Sequence, residues 1–509
     1  MNQTFKKVLA LVLASIMVLA LAACNAAPAA GSSAAPSTDP GSNEPTSDEI
    51  YTVKLKYTAM VNIPNEEGQK KIEDAISKHI QSLGYNLALD MEIVPIMDYA
   101  TTLPLQLSSG EKMDIVFVAN MTDWVSNGYM VPLDDYLDND LKPTAELVGN
   151  WIDASVIGGK TYAVPAHKGL VLTWKYIYDE SYVNAINYDM SKVTDFYSLV
   201  DLFAALKKAN PDKIIEADTS RYPALFREMK NTSLIGPYVA TVGDDTKLNN
   251  YFETEAFKEA VEWAYKFRQE GYTSPEGSTS TVTADSMVNS GATIGVTMAH
   301  GQNEESIGIA LTASNTYGGT FKSVEIEKGD LANPGLNWGI AYTSENPKAA
   351  AQMLNLLWTD EFVINSMIYG LEGESWVWNE DKTSIKYPDG LDAATVPYTT
   401  ILTCGAFSDQ FKMYPFEGNS TPEDLVYMKE SIDKAWAPPL FGFIPDGAKV
   451  STQLAAIANV YNQYYNALAY GDVDPASYVP EFVAALKAAG IDEVIAEYQA
   501  QADAWLANK

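Results

Sequence analysis

Three histidines (His79, His167, His300) and two cysteines (Cys24, Cys404) are the whole stock of imidazole and thiol groups in 509 residues. None falls at the spacing of a CxxC or HExxH site, so no zinc or other metal centre is expected and no cofactor is implied. Asp138 and Asp140 in "LDNDL" lack the glycine and closing glutamate of a calcium loop and read as a solvated turn. Neither a nucleophile elbow nor a glycine loop for phosphate is present. What remains is the chemistry of recognition, in which polar side chains hydrogen-bond a ligand beside flat aromatic faces. The chain carries 10 Trp and 30 Tyr against 16 Phe, a balance that suits polar-tipped aromatic surfaces.

Charge narrows the ligand. Lys and Arg number 34 against 66 Asp and Glu, a formal charge of −32. Such an excess repels phosphate backbones and anionic lipid faces, which argues against nucleic acid and against a polyanionic substrate.

The elements that must position such residues are legible. "YTVKLKY" alternates Val53, Leu55 and Tyr57, the period of a strand, and Ile72, Ile76, Ile80 and Leu83 follow at helical spacing. "LALDMEI" reads as a second strand and "DIVFVAN" as a third, apolar throughout as in a strand buried on both faces. This is α/β with a parallel sheet, whose ligands sit beyond the carboxyl ends of the strands. Asn120 and Trp124 stand at such an end, Trp124 with core packing as its alternative role. Glu372 and Trp376 in "YGLEGESW" follow a helix and sit among glycines, where backbone approaches a ligand closely, the alternative being a surface turn.

At the N-terminus Lys6 and Lys7 precede an apolar stretch from Val8 to Leu21 and then Ala22 and Ala23. That order predicts a secretory signal peptide over 1–23, shorter than the ~20 apolar residues of a comfortable membrane span. Leu21-Ala22-Ala23-Cys24 resembles the bacterial lipobox, which implies that Cys24 becomes an acylated N-terminus. Two or three acyl chains anchor stably where one does not. Residues 24–49 hold almost no large apolar side chain and read as a disordered tether, about 25 Å in reach.

Longer blocks carry a family resemblance. "LQLSSGEKMDIVFVANMTDWVSNGYMVPLDDYL", "GGKTYAVPAHKG", "FRQEGYTSP" and above all "GLNWGIAYTSENPKAAAQMLNLLWTDEFVINSMIYGLEGESW" resemble the extracellular solute-binding lipoproteins of bacterial ATP-driven (ABC) importers, carbohydrate-type. "PPLFGFIPDGAKVSTQLAAIANVYNQY" and the closing "LKAAGIDEVIAEYQAQADAW" resemble a subgroup with a C-terminal extension, found in gut and soil Gram-positive bacteria. The resemblance implies a two-lobed periplasmic-binding-protein-like fold (type II) with interleaved lobes and a hinge. Lobe one is expected to hold 50–166 and 300–344, and lobe two 167–299 and 345–509. It implies an oligosaccharide solute in the cleft, delivery to the permease subunits, a monomer, and attachment to the outer face of the membrane by lipid alone. His167 and Lys168 fall at the implied crossover, either as donors to solute hydroxyls or as a hinge salt bridge or exposed surface, and His300 beside Gly301 offers a similar donor. Trp338 falls at a crossing and either touches solute or packs the hinge. With these, the candidate site is Asn120, Trp124, His167, Lys168, His300, Trp338, Glu372 and Trp376, and no residue is catalytic.

Two other readings compete. A receptor for peptide or another non-sugar solute would share the fold. A lipid-anchored glycoside hydrolase would need two carboxylates across a cleft, such as Glu372 with Asp123. The anchor reading carries its own test: Cys24→Ser is expected to move the protein from the membrane fraction to the medium with solute binding intact. Retention in the membrane fraction would contradict it.

Overall fold

The alternation of Val53, Leu55 and Tyr57 forms β1 (Tyr51–Ala59), and all three side chains are buried. The other face of β1 is covered as well, so Lys56 is fully buried and its ammonium is held by Glu92 at 2.7 Å and Gln106 at 2.5 Å. A buried cation persists only with such partners. The computed structural model describes residues 49–507 apart from 60–62, 119–120, 333–335, 401–406 and 419. The expected signal peptide, Cys24, the tether up to residue 48, Asn120 and Cys404 lie outside the described residues.

After β1 the chain runs through α1 (Glu66–Ser82), β2 (Leu87–Pro95), α2 (Ile96–Ser108), β3 (Ile115–Val118), α3 (Met121–Ser126) and β4 (Val164–Pro165). The Asn65 side chain caps α1, and Ile72, Ile76 and Ile80 line its buried stripe. A second sheet follows, with β5 (Thr173–Asp179), α4 (Phe196–Ala209), β6 (Ile214–Glu216), α5 (Tyr222–Met229), α6 (Glu255–Gln269), β7 (Thr293–His300) and β8 (Phe321–Glu327). The chain then returns through β9 (Asn337–Ile340), α7 (Pro347–Thr359), α8 (Glu361–Tyr369) and a short hairpin of β10 (Val377–Trp378) and β11 (Ile385–Lys386). It closes with α9 (Pro422–Lys434), α10 (Ser451–Ala469), α11 (Pro475–Ala488) and α12 (Ile491–Ala507). Among the described residues no helix is long and apolar enough to cross a membrane.

The first sheet has the order β2-β1-β3-β9-β4, with β2, β1 and β3 parallel and β9 antiparallel to both its neighbours. The second has the order β8-β5-β7-β6. Each sheet organises its own lobe and its own apolar core.

The lobe boundaries differ from expectation at two points. β8 pairs antiparallel with β5, from Phe321 opposite Asp179 to Glu327 opposite Trp174, so the stretch from 300 to 327 belongs to the second lobe. Helices α7 and α8 bury Met353, Leu357, Trp358, Ile364 and Met367 in one core with Val53, Leu55 and Ile340, so the stretch after 344 begins in the first lobe. Periodicity marks which face of a helix is apolar and not which sheet will cover it.

Trp338 on β9 is the centre of the first core. It is 0% exposed, with ring centroids 5.3 Å from Phe117, 5.1 Å from Phe407 and 6.3 Å from Trp358. It has no surface to offer a solute, and of its two expected roles only packing stands. Trp338→Ala is expected to cost about 3–5 kcal/mol of stability in urea unfolding. A cost below about 1 kcal/mol would mean the core does not depend on this ring.

Candidate functional site

The carboxyl end of β3 is where the lobes meet. Val118 pairs with Asn337 at the start of β9, and Asn337 pairs with Pro165 at the end of β4. The chain therefore leaves the first sheet after β4, and re-enters it at β9, along one edge. A third crossing lies between Phe416 and the start of α9. The crossings lie side by side: the Ala166 amide donates to the Leu336 carbonyl at 2.8 Å and the Ala332 amide to the Leu170 carbonyl at 3.2 Å. His167 and the segment at 408–410 exchange two more backbone bonds, each of 2.8 Å. On the second sheet the matching rim is the start of β5 and the ends of β7 and β8, where Thr173 faces His300 and Trp174 faces Glu327. A ligand at the strand ends of the first lobe therefore lies beside the crossings and this rim.

The structure brings three of the expected residues to this place. His167 sits on the first crossing with Nδ1 2.8 Å from Asp409 Oδ1, its ring 4.9 Å from Trp151 and 5.0 Å from Phe411. Lys168 follows it, and then Gly169, where a Cβ would stand 2.9 Å from the Met428 sulfur. Gly301 backs onto the same sulfur at 4.0 Å, which brings His300 to the first crossing. The His300 Nδ1 accepts the Gln302 amide at 3.2 Å. Burial, then the Lys175 charge, hold this imidazole below its usual range, so it is neutral with Nε2 as the donor.

Lys175 lies beneath His300, fully buried, with its amine 3.3 Å from the His300 carbonyl and 3.3 Å from the Tyr427 hydroxyl. Burial pushes it down to about 8. Tyr427 in turn donates to Glu325 at 3.2 Å, which ties α9 to the second sheet. Sequence reasoning missed Lys175 and Tyr427, since a lysine inside a strand carries no local mark of burial. Sequence reasoning also passed over the α9 cap, whose signal is "STPEDL": Thr421 and Asp424 form a reciprocal capping box, and Asp424 also accepts the Asn303 amide.

The aromatic candidates are placed differently. Trp124 is half-buried on α3, 5.7 Å from Tyr129, whose ring stacks on Tyr342. Glu372 is exposed in the turn after α8. Trp376 is 6% exposed and donates to the Gly370 carbonyl at 3.0 Å, so it supports the surface and does not form it. Above it, at 5.5 and 5.4 Å, stand the half-buried rings of Trp378 and Tyr414. Trp378 lies 4.9 Å from Tyr414, and Tyr387 lies 4.7 Å from Phe416, the last residue before the third crossing. This wall of four rings was missed because residues 414–416 reach β11 only through tertiary pairing, the Ile385 amide donating to the Pro415 carbonyl.

Residues 65–362, more than half of the chain, match the bacterial extracellular solute-binding proteins. The chain belongs to that family. Residues 439–507 of this solute-binding protein match a domain of unknown function (DUF3502), which takes in α10, α11 and α12. A carbohydrate ABC transporter substrate-binding protein of Streptococcus pneumoniae serotype 4 is 26% identical over 447 residues, 83% of this chain and 85% of the relative. Among solved structures, the N-glycan transport solute-binding protein NgtS from Streptococcus pneumoniae superposes with a TM-score of 0.72 at 23% identity, over 90% of this chain and 99% of that one. An extracellular solute-binding protein from Bifidobacterium longum subsp. infantis gives 0.66 at 14% identity, over 90% and 99%. These relatives are binding proteins, and the two structures share the fold with this chain.

On the second lobe of the solute-binding protein, the loop after β6 faces the same side, because β6 runs parallel to β7. Arg221 lies there, 4.0 Å from Asp218 and 3.9 Å from Asp285. The buried hydroxyl groups of Thr219 and Thr273 beside it have no partner among the described residues. Glu216, fully buried, anchors the loop by accepting the Thr297 amide and hydroxyl, each at 3.0 Å. Burial pushes its carboxyl up to about 8. The native protein thus keeps a proton that the unfolded chain releases near pH 4.5, and Glu216 withdraws stability as pH rises from about 5 to 8. Glu216→Gln is expected to flatten the fall of melting temperature across that window. An unchanged slope would remove Glu216 as its source.

Proposed function

We propose that this protein captures an oligosaccharide between its lobes and delivers it to the permease of an ATP-driven importer, held to the outer face of the membrane through an acylated Cys24. One observation carries the sugar reading: two pairs of half-buried rings, Trp378 with Tyr414 and Tyr387 with Phe416, stand in the segment just before the third crossing, and His167, Lys168 and His300 supply polar groups at the first crossing and the neighbouring strand end. Rings stack on the C–H faces of a sugar while imidazole and ammonium groups hydrogen-bond its hydroxyls. Arg221 between two carboxylates, and the partnerless hydroxyls beside it, offer the same polar chemistry from the second lobe. The carbohydrate assignment of the pneumococcal relative supports this reading. The protein acts as a monomer and performs no catalysis. Solute touching both lobes supplies the energy for their closure.

A thermal-shift screen of neutral oligosaccharides against peptides tests the solute class. Stabilisation by at least one oligosaccharide is expected; stabilisation by peptides alone would defeat the sugar reading, and steady release of shorter sugars would establish a hydrolase. Against the best sugar, Trp378→Ala is expected to weaken binding at least about tenfold, ~1.4 kcal/mol, with melting temperature nearly unchanged. An unaltered affinity would exclude the ring wall as the platform.

A further inference from the structure

Beneath the first two crossings, on the second lobe, lies a cavity of about 300 Å³. Val171 and Thr173 line it from the first crossing, Lys328 to Asp330 from the second, and Tyr427, Glu430 and Lys434 from α9. Glu228, at the end of α5, closes its inner side. One oxygen of the Glu228 carboxyl is sealed from solvent with no hydrogen-bond partner among the described residues. Trp174, 3% exposed, turns its indole N–H toward that carboxyl without closing a full hydrogen bond, and the Asp330 backbone amide on the second crossing also points to the carboxyl. The second crossing is pressed onto this group. A Cβ on Gly329 would collide with the Leu172 carbonyl of the first crossing and stand 3.1 Å from the sealed Glu228 oxygen.

Carboxylates crowd the same space. Asp330 and Glu327 flank Gly329 at one residue and two, Glu325 faces in from β8, and Glu430 from α9. Against them stand Lys328, Lys434, which is paired with Glu430 at 2.9 Å, and Arg227 beside Glu228 on α5. The sealing of one oxygen and the further acids around it outweigh the Trp174 and Asp330 N–H groups and Arg227, so this arrangement favours a neutral carboxyl over an ionised one.

We propose that Glu228 and Asp330 form a proton-operated latch on the second crossing: while neutral they let it lie against α5 and the first crossing, and when ionised they push it away, so the solute-free protein changes its interlobe arrangement as pH rises through neutrality. The proposal rests on the two-lobed reading and is independent of which solute is bound. The electrostatics agree. Burial, then the Asp330 charge, push Glu228 up to about 8, while burial and Glu327 push Asp330 up to about 7. Glu327 is raised as well, by burial and then Glu325. The latch is therefore set below about pH 6 and released above about pH 9.

Small-angle scattering of the solute-free protein at those two pH values tests it. The radius of gyration is expected to be larger at the higher pH. Glu228→Gln and Asp330→Asn, which keep the shape of the neutral groups, are expected to reduce the shift singly and abolish it together. An unchanged radius in the parent protein, or a full shift in the folded double variant, would overturn the latch. Should the double variant not fold, a full shift in either folded single variant would do so. The oligosaccharide screen is run in parallel at the lower pH. A pH response without sugar binding would overturn the sugar reading and leave the latch standing.

Discussion

The geometry of this molecule depends on one row of backbone pairing, Val118 with Asn337 and Asn337 with Pro165, at the edge of the first sheet. Because the chain's exit and return share that edge, its first two crossings run together, bonded to each other through Ala166, Leu170, Ala332 and Leu336. Paired segments bend together more readily than they slide apart. Trp338, one residue beyond the row, fixes it to the core by filling the space between Phe117, Phe407 and Trp358. The groups proposed for recognition hang from this construction: His167 on the first crossing, His300 at the neighbouring strand end, and the paired rings just before the third.

Several charged groups are buried around it, and they fall into two kinds. Lys56 is enclosed with its own counter-charge, Glu92, and contributes to holding β1 against β2 and α2. Lys175, Glu216 and Glu228 are enclosed mainly with uncharged groups, carbonyls, hydroxyls, amides or an indole, and burial drives each toward neutrality. The first kind sits deep in a lobe and the second near the crossings. Electrostatic energy is therefore concentrated at the crossings between the lobes, in the low-dielectric setting where it acts most strongly.

The sequence made the parts legible more fully than their assembly. Strand alternation and the isoleucine stripe located β1 and α1, and "DIVFVAN" announced a strand covered on both sides. The family resemblance puts His167 and Lys168 at a crossing and offers His300 as a similar donor, and the structure has all three at the crossings and the neighbouring strand end. Trp338 and Trp376 were drawn to the site by residue type, yet an indole fills a core as well as it stacks on a ligand, and only packing separates the two uses. Trp378 and Tyr414 went unseen for the complementary reason: 36 residues part them in the sequence, and only the pairing of 415 with 385 brings them together. The ownership of 300–327 and of α7 and α8 was misjudged for a related cause, since an amphipathic stripe does not name its sheet.

The interleaving of the lobes has a consequence for how the molecule is made. The first core takes residues from Val53 as far along as Met413, and the second lobe takes one portion from between its parts and another, beginning with α9, from after them. Neither lobe is a continuous stretch that can be finished as it emerges from a ribosome or a translocation pore. The parallel pairing of β1 and β3 can form early, but β9, which must lie against β3, arrives more than 200 residues later. Contacts so distant in sequence form slowly and leave apolar surface uncovered meanwhile. The long wait favours a chain kept apart from its neighbours while it folds, and its large negative charge provides that separation by mutual repulsion.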